Sequence, residues 1–324
     1  MALPAMAALR VAFSDRRIAI AALPSIAPLF REHTNAAPDE VLIVEKATET
    51  ATLRAARPAI VVLFPNSVRV AWAARRAGIR ERWGYRAGGR GPLLTRAVPR
   101  PRGRLHQSDY YRRLVQALGF EAPEILPRVT ITDETSQRVV ALLERSEIDR
   151  SQPLVGIAPG AAYGHAKRWP PDRMAELVAR LVASGARPVL VGAPGDRNAA
   201  REIESATGAG ARLVNLVGRT DLRLFAGLLA ACRAFVSNDS GAMHLAAAAG
   251  VPVTAIFGPT DERATAPLGD HDVIIHQVFC RPCMLRDCPI DHRCMRGISV
   301  DRVLDAVTRR LEAARAAPLA ERQP

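Results

Sequence analysis

Short apolar runs alternate with amphipathic segments along most of the chain, most regularly after residue 150. In that half, each apolar run of about five residues is followed by a longer segment whose apolar positions recur with helical spacing. This alternation predicts parallel strands joined by helical crossovers, as in a doubly wound α/β sheet. The predicted strands are 154–158, 188–192, 213–217, 234–237, 251–257 and 272–276, and the predicted helices are 171–184, 197–207, 222–232, 241–249 and 299–314.

The first half of the chain follows the same pattern less regularly. Ser67 is predicted to cap the helix that follows it. Residues 86–105 show neither the helical nor the strand period and are rich in Gly, Arg and Pro. We therefore expect a long loop that is either solvated and mobile or binds a phosphate-bearing ligand through its arginines. The predicted strands are 17–23, 40–45, 59–64 and 81–85, and the predicted helices are 1–11, 24–33, 50–57, 68–77 and 106–118.

A Pro-containing stretch without periodicity, residues 121–132, separates the two halves, and a predicted amphipathic helix follows it over 133–148. We therefore expect two Rossmann-like α/β domains, residues 1–148 and residues 149–324. No G-x-G-x-x-G segment follows a predicted strand, which argues against a dinucleotide-dependent oxidoreductase.

The most informative local pattern lies at residues 234–257. An apolar strand ends in Asn238-Asp239-Ser240-Gly241, a helix of small residues begins at Gly241, and a second apolar strand follows. The start of that helix offers unpaired backbone N–H groups, and Gly241 lets an anion approach them, so the pattern predicts a phosphate site. Asp239 is placed to bind a ligand hydroxyl, and His244 lies on the same first turn. The alternative is that Asp239 and Ser240 only cap the helix.

The loop after the predicted strand 154–158 carries a second set of candidates. Gly160 leaves the strand, and Lys167 and Arg168 precede the next helix. A lysine at the end of a strand suits a diphosphate. The alternative, an ordinary surface lysine, is less favoured because Lys46 and Lys167 are the only lysines among 45 basic residues.

Two further polar residues follow predicted strands. Asp196 and Thr220 are each placed either to contact a bound ligand or to cap the helix that comes next.

The chain is strongly basic, with a formal charge of +13 and a pI near 10.7. Aromatic residues make up only 5% and no basic helix with interleaved aromatics is present, which argues against nucleic acid as a partner. An anionic membrane surface or a phosphorylated lipid acceptor fits the charge. No apolar run reaches the roughly 18 residues of a membrane span. The first nine residues lack the basic region of a signal peptide. We therefore expect a cytoplasmic protein that is at most peripheral to a membrane.

Four of the five cysteines lie within fifteen residues, whereas Cys232 lies alone in a predicted helix. In a cytoplasmic protein such a cluster indicates free thiols or a metal rather than disulfides. The C-x2-C-x4-C-x5-C spacing is compatible with a structural zinc ion, with His276 or His292 as alternative ligands, and a reduced cluster that stabilises the loop is the other interpretation. The clustered cysteines are Cys280, Cys283, Cys288 and Cys294.

Three ordered segments together resemble the ADP-heptose:lipopolysaccharide heptosyltransferases of glycosyltransferase family 9, most closely the heptosyltransferase II branch. They are N-D-S-G-A-M-H-L-A-A-A-A-G-V-P-V-T-A-I-F-G-P-T from residue 238, A-P-G-A-A-Y-G-H-A-K-R-W-P from residue 158, and the cysteine segment 280–294. The resemblance implies a GT-B fold, two doubly wound Rossmann-like domains facing a cleft. It also implies an inverting transfer of heptose from ADP-L-glycero-D-manno-heptose to the lipopolysaccharide inner core, as its second heptose, with no cofactor required.

The resemblance further implies that the two domains bind different substrates. The C-terminal domain would bind ADP-heptose, and the N-terminal domain would bind a lipid A–Kdo–heptose acceptor at the inner face of the cytoplasmic membrane. Lys167, on the diphosphate side, and Asp239, on the sugar, are the catalytic candidates. The donor-binding candidates are Gly160, Lys167, Arg168, Asp196, Thr220, Asp239, Ser240, Gly241 and His244, and the acceptor-binding candidates are Arg90, Arg96, His106 and Tyr110.

The start of the chain departs from the family. Relatives begin with a strand and a Gly-Asp turn, whose Asp the resemblance implies as general base, before a helix that matches residues 3–10 here. Because that strand is central in a doubly wound sheet, its loss would expose two unpaired edges. We therefore expect the true start to lie upstream. The alternatives are a related transferase with another acceptor or sugar, and a catalytically impaired protein that binds a nucleotide sugar without transferring it.

Overall fold

The computed structural model describes residues 1–149, 151–161, 163–207 and 213–316 of the 324-residue chain. The chain divides into two compact units, Met1–Pro127 and Arg128–Pro324. None of the helices in the described ranges has both the length and the apolar content of a membrane span.

The first unit combines short helices with short strands. Its helices are α1 (Leu3–Ala12), α2 (Glu49–Ala56), α3 (Val68–Arg76) and α4 (Gln107–Ala117). Its strands are β1 (Ala19–Ala22), β2 (His33–Thr34), β3 (Glu40–Ile43), β4 (Ile60–Leu63), β5 (Glu81–Tyr85) and β6 (Arg96–Val98).

The strands of the first unit include two separate parallel sheets, β1-β3 and β4-β5-β6. Helix α1 contacts both sheets: Ala5 and Leu9 pack in a cluster with Val62 of β4, and Leu3 packs against Ile20 of β1. Among the described strands of these two sheets, β1, β3, β4 and β6 each have a ladder partner on one side only.

The second unit alternates strands and helices. Its helices are α5 (Asp133–Arg145), α6 (Pro171–Ala183), α7 (Arg197–Thr207), α8 (Leu222–Ala230), α9 (Gly241–Ala248), α10 (Glu262–Thr265), α11 (Arg293–Arg296) and α12 (Val300–Ala316). Its strands are β7 (Val129–Thr130), β8 (Leu154–Ala158), β9 (Arg187–Leu190), β10 (Val214–Asn215), β11 (Ala234–Asn238), β12 (Val253–Phe257) and β13 (His271–Ile275).

Six strands of this unit form one parallel sheet in the order β10-β9-β8-β11-β12-β13. The chain runs outward from β8 to β10, returns to place β11 beside β8, and then runs outward in the opposite direction. In such a sheet, ligands bind beyond the carboxyl ends of the strands at the point where the direction reverses. A ligand is therefore expected beside the loops that leave β8 and β11.

The centre of this sheet is fully buried. Every residue of β8, β11 and β12 is buried, which explains why these strands are continuous apolar runs rather than alternating ones. Helix α6 covers the sheet with Met174, Leu177, Val178 and Leu181, which recur with helical spacing and are all buried. A rigid sheet of this kind holds the ends of its strands at fixed positions.

The division between the units lies earlier than the predicted boundary after residue 148. Helix α5 was expected to close the first domain, but it packs against α8 of the second unit. Arg223 on α8 donates to Glu134 at 3.0 Å, and Arg138 on α5 donates to Asp221 at 2.6 Å. These contacts and the packing of the two helices assign α5 to the second unit.

Three local predictions for the first unit are wrong. The segment 24–33 contains a 3-10 turn, Ala27–Arg31, and the first residue of β2 instead of a helix, because Pro28 lacks the N–H that a continuous helix needs. The segment 86–105 is not one loop: it contains a 3-10 turn, Gly91–Leu93, and strand β6. Ser67 occupies the N-cap position of α3, but its side chain makes no capping hydrogen bond.

Candidate functional site

The loops that leave β8 and β11 are joined by one buried side chain, Asn238. Its Nδ2 donates to the carbonyl oxygen of Pro159 at 2.9 Å, and its Oδ1 accepts from the backbone N–H of Trp169 at 3.0 Å. Asn238 is completely buried. Because both ends of its amide are used, the two loops are held in one relative position.

Lys167 and Asp239 form an ion pair at this edge of the sheet. Nζ of Lys167 donates to Oδ2 of Asp239 at 2.6 Å, and Oγ1 of Thr260 donates to the same oxygen at 2.7 Å. Lys167 is 9% exposed and Asp239 7% exposed. Two donors on one carboxylate oxygen fix the orientation of Asp239, and the buried lysine compensates its charge.

The N terminus of α9 opens beside this pair. Ser240 holds the N-cap position but makes no side-chain capping bond, and its Oγ lies 3.0 Å from Oγ of Ser237. A Cβ placed on Gly241 would meet no atom within 4 Å. The interpretation of Asp239 and Ser240 as helix caps is therefore wrong, and the described residues leave open space beside Gly241 at the start of α9.

The segment 280–294, called the cysteine loop below, packs on the loop that carries Lys167. The backbone N–H of Ala166 donates to the carbonyl oxygen of Arg286 at 2.9 Å, and the hydroxyl of Tyr163 donates to the carbonyl oxygen of Met284 at 2.9 Å. A Cβ on Gly164 would lie 2.3 Å from the same Arg286 oxygen. The two loops are therefore in direct contact through their backbones.

The ring of Tyr163 is also close to two cations. Nζ of Lys167 is 4.6 Å from the centroid of its ring, and Cζ of Arg286 is 5.1 Å from it. Cation–π contacts at such distances hold a cation in place. Sequence reasoning missed Tyr163, although it lies inside one of the three segments that carry the resemblance.

Arg281 connects the cysteine loop to Thr260. Its guanidinium donates to the carbonyl oxygens of Gly258 at 2.7 Å and Thr260 at 3.1 Å, and to the carboxylate of Glu262 at 2.5 Å. The side chain of Arg281 is only 3% exposed. Sequence reasoning also missed Arg281 and Thr260, and the only signal for Thr260 was its place at the end of the first matched segment.

Asp196 lies against Gly160. Its Oδ2 accepts from the backbone N–H of Ala193 at 3.0 Å, and a Cβ on Gly160 would lie 1.9 Å from its Oδ1. Asp196 therefore closes the 3-10 turn Pro194–Asp196, which follows the strand beside β8, and this bond caps that turn rather than the helix that begins at Arg197. Gly160 is required so that this carboxylate can approach.

The remaining donor candidates, Thr220, His244 and Arg168, lie in three different surroundings. Thr220 is half-buried, but the N-cap of α8 is Asp221, whose Oδ1 accepts from the N–H of Leu224 at 2.8 Å, so the cap interpretation of Thr220 is wrong. His244 is half-buried on the first turn of α9. Arg168 lines a cavity of about 580 Å³ with His165, Arg173, His292 and Arg296.

The predicted acceptor residue Arg90 is a structural residue. It is fully buried, burial lowers the pKa of its guanidinium, and it donates to the carbonyl oxygens of Tyr85 at 2.9 Å and of Pro65. A side chain with this placement holds the ends of β4 and β5 together and does not reach a bound acceptor. The prediction that Arg90 binds the acceptor directly is corrected accordingly.

Tyr110 and His106 lie at the start of α4. The hydroxyl of Tyr110 accepts from Nδ2 of Asn66 at 2.8 Å, and Nδ1 of His106 accepts from the N–H of Ser108 at 3.2 Å as the N-cap of the helix. Asn66 follows β4, and its Oδ1 also accepts from Arg90 at 3.4 Å. Arg96 is exposed on β6, with its guanidinium 5.3 Å from the centroid of Trp83.

In the described residues, no group of three or more His, Cys, Asp or Glu side chains is arranged to hold a metal ion. The predicted zinc site at the cysteine loop therefore stays a prediction. Burial raises the pKa of the Cys288 thiol, but hydrogen bonds from the backbone N–H groups of Ile290, Asp291 and His292 outweigh it, so the pKa lies below the ordinary value. The five cysteines are free thiols in this structure.

Comparison with known proteins identifies relatives of this site and fold. The model of "Glycosyltransferase family 9 (heptosyltransferase)" matches residues 50–293. Lipooligosaccharide heptosyltransferase 2 of Haemophilus ducreyi is 35% identical over 236 residues, 68% of this chain and 66% of the relative. Lipopolysaccharide heptosyltransferase 2 of Escherichia coli K12 is 33% identical over 67% of this chain and 64% of the relative. The matched stretch thus spans slightly less than two thirds of these curated relatives.

Solved structures give a likeness over nearly the whole chain. The ADP-heptose lipopolysaccharide heptosyltransferase II of E. coli superimposes with a TM-score of 0.83 at 27% identity, covering 97% of this chain and 95% of that one. A glycosyltransferase family 9 protein of Veillonella parvula superimposes with a TM-score of 0.82 at 19% identity, over 96% of this chain and 92% of that one, and shows the fold alone. The expected α/β fold of the GT-B type is therefore confirmed.

Proposed function

Because this chain belongs to glycosyltransferase family 9, the heptosyltransferases, we propose that it transfers heptose from ADP-heptose to the inner core of lipopolysaccharide. Its curated relatives named above are heptosyltransferases 2, which supports the second heptose as the residue added. The donor sits in the second unit, at the ends of β8 and β11. No cofactor is required for the transfer.

The observation that carries this proposal is the placement of Lys167 and Asp239 beside the N terminus of α9. When the bond between heptose and ADP breaks, negative charge develops on the diphosphate. Lys167 and the N–H groups at Gly241 are positioned to stabilise that charge, and they need no reorganisation because Asn238 and the cysteine loop already hold them. Asp239, oriented by Lys167 and Thr260, contacts the sugar.

The acceptor side of the proposal rests on the first unit. We propose that a lipid A–Kdo–heptose acceptor binds near the carboxyl ends of β4, β5 and β6, where Asn66 and Tyr110 are hydrogen-bonded. An acceptor of this kind requires the protein to work in the cytoplasm, at the inner face of the cytoplasmic membrane. The formal charge of +13 supports contact with an anionic surface.

The donor half of the proposal is tested by calorimetric titration of ADP-heptose into the wild type, Lys167→Ala and Lys46→Ala. The chain's only two lysines make a matched pair, because Lys167 is buried in the site whereas Lys46 is exposed on the first unit. We expect Lys167→Ala to weaken binding at least about 30-fold, corresponding to a lost charge-assisted contact of about 2 kcal/mol. Equal affinities for the two variants, or no binding by the wild type, would contradict the donor site.

Transfer is tested separately by single-turnover reaction with mono-heptosylated Kdo2-lipid A. Formation of the di-heptosylated product supports the full proposal. Tight binding of ADP-heptose without transfer favours a nucleotide-sugar-binding protein, the other function that the sequence left open. Transfer of a different sugar in a panel of donors favours a related transferase.

A further inference from the structure

The positive charge of this protein is concentrated in its first unit. Residues 1–127 contain twenty Arg and Lys residues against ten Asp and Glu residues, so this unit carries ten of the thirteen net positive charges. The donor site lies in the second unit and does not account for this asymmetry. The charge therefore points to a partner of the first unit.

Part of this charge lies on the surface formed by α2, α3 and the residues that follow each helix. Residues 50–80 contain six arginines and no acidic residue. All six are exposed on the surface, and one of them, Arg69, is ion-paired with Glu49. The six are Arg54, Arg57, Arg69, Arg75, Arg76 and Arg80.

The outward face of α3 also exposes two large apolar side chains. Val68 is 45% exposed and Trp72 is 51% exposed, one helical turn apart. Ala71 and Ala74 are fully buried on the opposite face, where α3 packs on its sheet. At 100° per residue, Arg75 and Arg76 fall on either side of the line that joins Val68 and Trp72. The outward face is thus an apolar stripe flanked by guanidinium groups.

We propose that this face of α3, together with the arginines that follow α2 and α3, docks the protein onto an anionic lipid bilayer. Tryptophan is favoured at the level of the lipid headgroups, where its ring is buried and its N–H stays hydrogen-bonded. Arginines beside it reach the phosphates while their aliphatic stems cover apolar surface. Residues 50–80 contain no acidic residue, and Glu49 at the start of α2 is buried and ion-paired with Arg69, so a lipid phosphate meets little repulsion at this surface.

The observations favour a bilayer over other occupants of this face. A second copy of the chain would bring two arginine-rich faces together, which like charges oppose. A nucleic acid would use the arginines but has no need of an exposed Val68 beside Trp72. The proposal stands on the surface of the first unit alone and does not depend on the heptose transfer proposed above.

The fluorescence of Trp72 tests the proposal on the whole chain. The three tryptophans are Trp72, Trp83 at 8% exposure and Trp169 at 1% exposure, so Trp72 is the one whose surroundings can change on docking. Vesicles of phosphatidylcholine alone are compared with vesicles that contain about a third phosphatidylglycerol. We expect a blue shift with the anionic vesicles only, quenching by brominated acyl chains, and reversal by high salt, which shortens the screening length to about 3 Å at 1 M.

Two double variants distinguish docking through the α3 face from attraction that depends only on the net charge of the protein. Arg75→Gln/Arg76→Gln is expected to weaken vesicle binding about 30-fold, roughly fivefold for each arginine. Arg16→Gln/Arg17→Gln removes the same charge from the same unit outside this face and is expected to change binding less than about twofold. Thermal melts of both variants verify that they are folded.

Five results would overturn the proposal. The first three are equal losses of vesicle binding in the two double variants, vesicle binding without any change in Trp72 emission, and no binding to anionic vesicles. A blue shift that depends on protein concentration without vesicles would identify a second copy as the occupant. A shift of the same size with single-stranded DNA would identify a nucleic-acid surface instead.

Discussion

Lys167 and Asp239 lie 72 positions apart in the chain, and Nζ of Lys167 donates to Oδ2 of Asp239 at 2.6 Å. Each group compensates the charge of the other in a site where both are buried, so removal of either one leaves an unpaired buried charge. The pair also means that the proposed donor site is organised before any ligand arrives. Preorganisation of this kind lowers the cost of stabilising charge during transfer.

Thr260→Val tests whether the second donor to Asp239 matters. The change keeps the shape of the side chain and removes the hydroxyl that donates to Oδ2 at 2.7 Å. Because a hydrogen bond to a charged group contributes about 1.5–3 kcal/mol, we expect the affinity for ADP-heptose to fall at least about tenfold. Calorimetric titration measures it.

Thr254→Val is the matched control for this change. Thr254 lies on β12, its hydroxyl is buried, and that oxygen has no hydrogen-bond partner among the residues that the structure describes. Replacement by valine removes an unsatisfied polar atom, so the free energy of unfolding should stay the same or rise, and donor affinity should not change. Equal losses of affinity in both variants would show that Thr260 acts only through packing.

Gly241→Ala separates folding from ligand approach. A Cβ at this position meets no protein atom within 4 Å, so the thermal stability should be unchanged or slightly higher, because alanine favours a helix over glycine by up to about 1 kcal/mol. The same methyl group stands where a phosphate would approach the N–H groups of α9. We expect ADP-heptose affinity to fall about tenfold or more. Unchanged affinity would mean that the diphosphate binds elsewhere.

Gly164→Ala tests the contact between the cysteine loop and the loop that carries Lys167. The new Cβ would lie 2.3 Å from the carbonyl oxygen of Arg286, a backbone atom that moves only if the cysteine loop moves. We expect a lower melting temperature and weaker ADP-heptose binding together. Gly195→Ala is the control, because a Cβ there meets nothing within 4 Å. Full donor affinity in Gly164→Ala would show that the cysteine loop does not position Lys167.

Arg90→Met tests the structural role assigned to this buried arginine. The change leaves the carbonyl oxygens of Tyr85 and Pro65 without their donor, so the free energy of unfolding should fall by about 2–5 kcal/mol. Arg96→Gln, at an exposed position, should cost less than about 1 kcal/mol. Urea unfolding measures both. An unchanged stability with lost acceptor binding would instead support the direct role predicted from the sequence.

The cysteines should differ in reactivity with pH. The lowered pKa of Cys288 means that its thiolate forms at lower pH than that of an ordinary cysteine, so iodoacetamide should label it first as the pH rises. Burial raises the pKa of Cys294, and burial raises the pKa of Cys232 to about 12, so both should label last. Peptide mass spectrometry gives the order. Joint protection of all four loop cysteines until a chelator is added would indicate a bound metal ion instead.

Much of the fold follows from local pattern. The strands at 154–158 and 234–238 and the helices α6 and α9 lie within one residue of their predicted bounds, because continuous apolar runs and helical spacing are properties of neighbouring residues. The strand at 96–98 escaped prediction because it has three residues and is defined by its pairing with β5. The helix predicted at 24–33 does not form, because Pro28 prevents a continuous helix although the apolar spacing favours one.

By itself, the sequence determined the α/β class and the family, and it singled out Lys167, Asp239 and Gly241 as candidate site residues. Only the tertiary structure decided that Lys167 and Thr260 both bond to Asp239, and that Arg90 is buried. The physical reason is the range of each interaction. Helical and strand periods and motifs act between neighbours along the chain, whereas burial and hydrogen-bond partners depend on packing between segments that the chain brings together only when it folds.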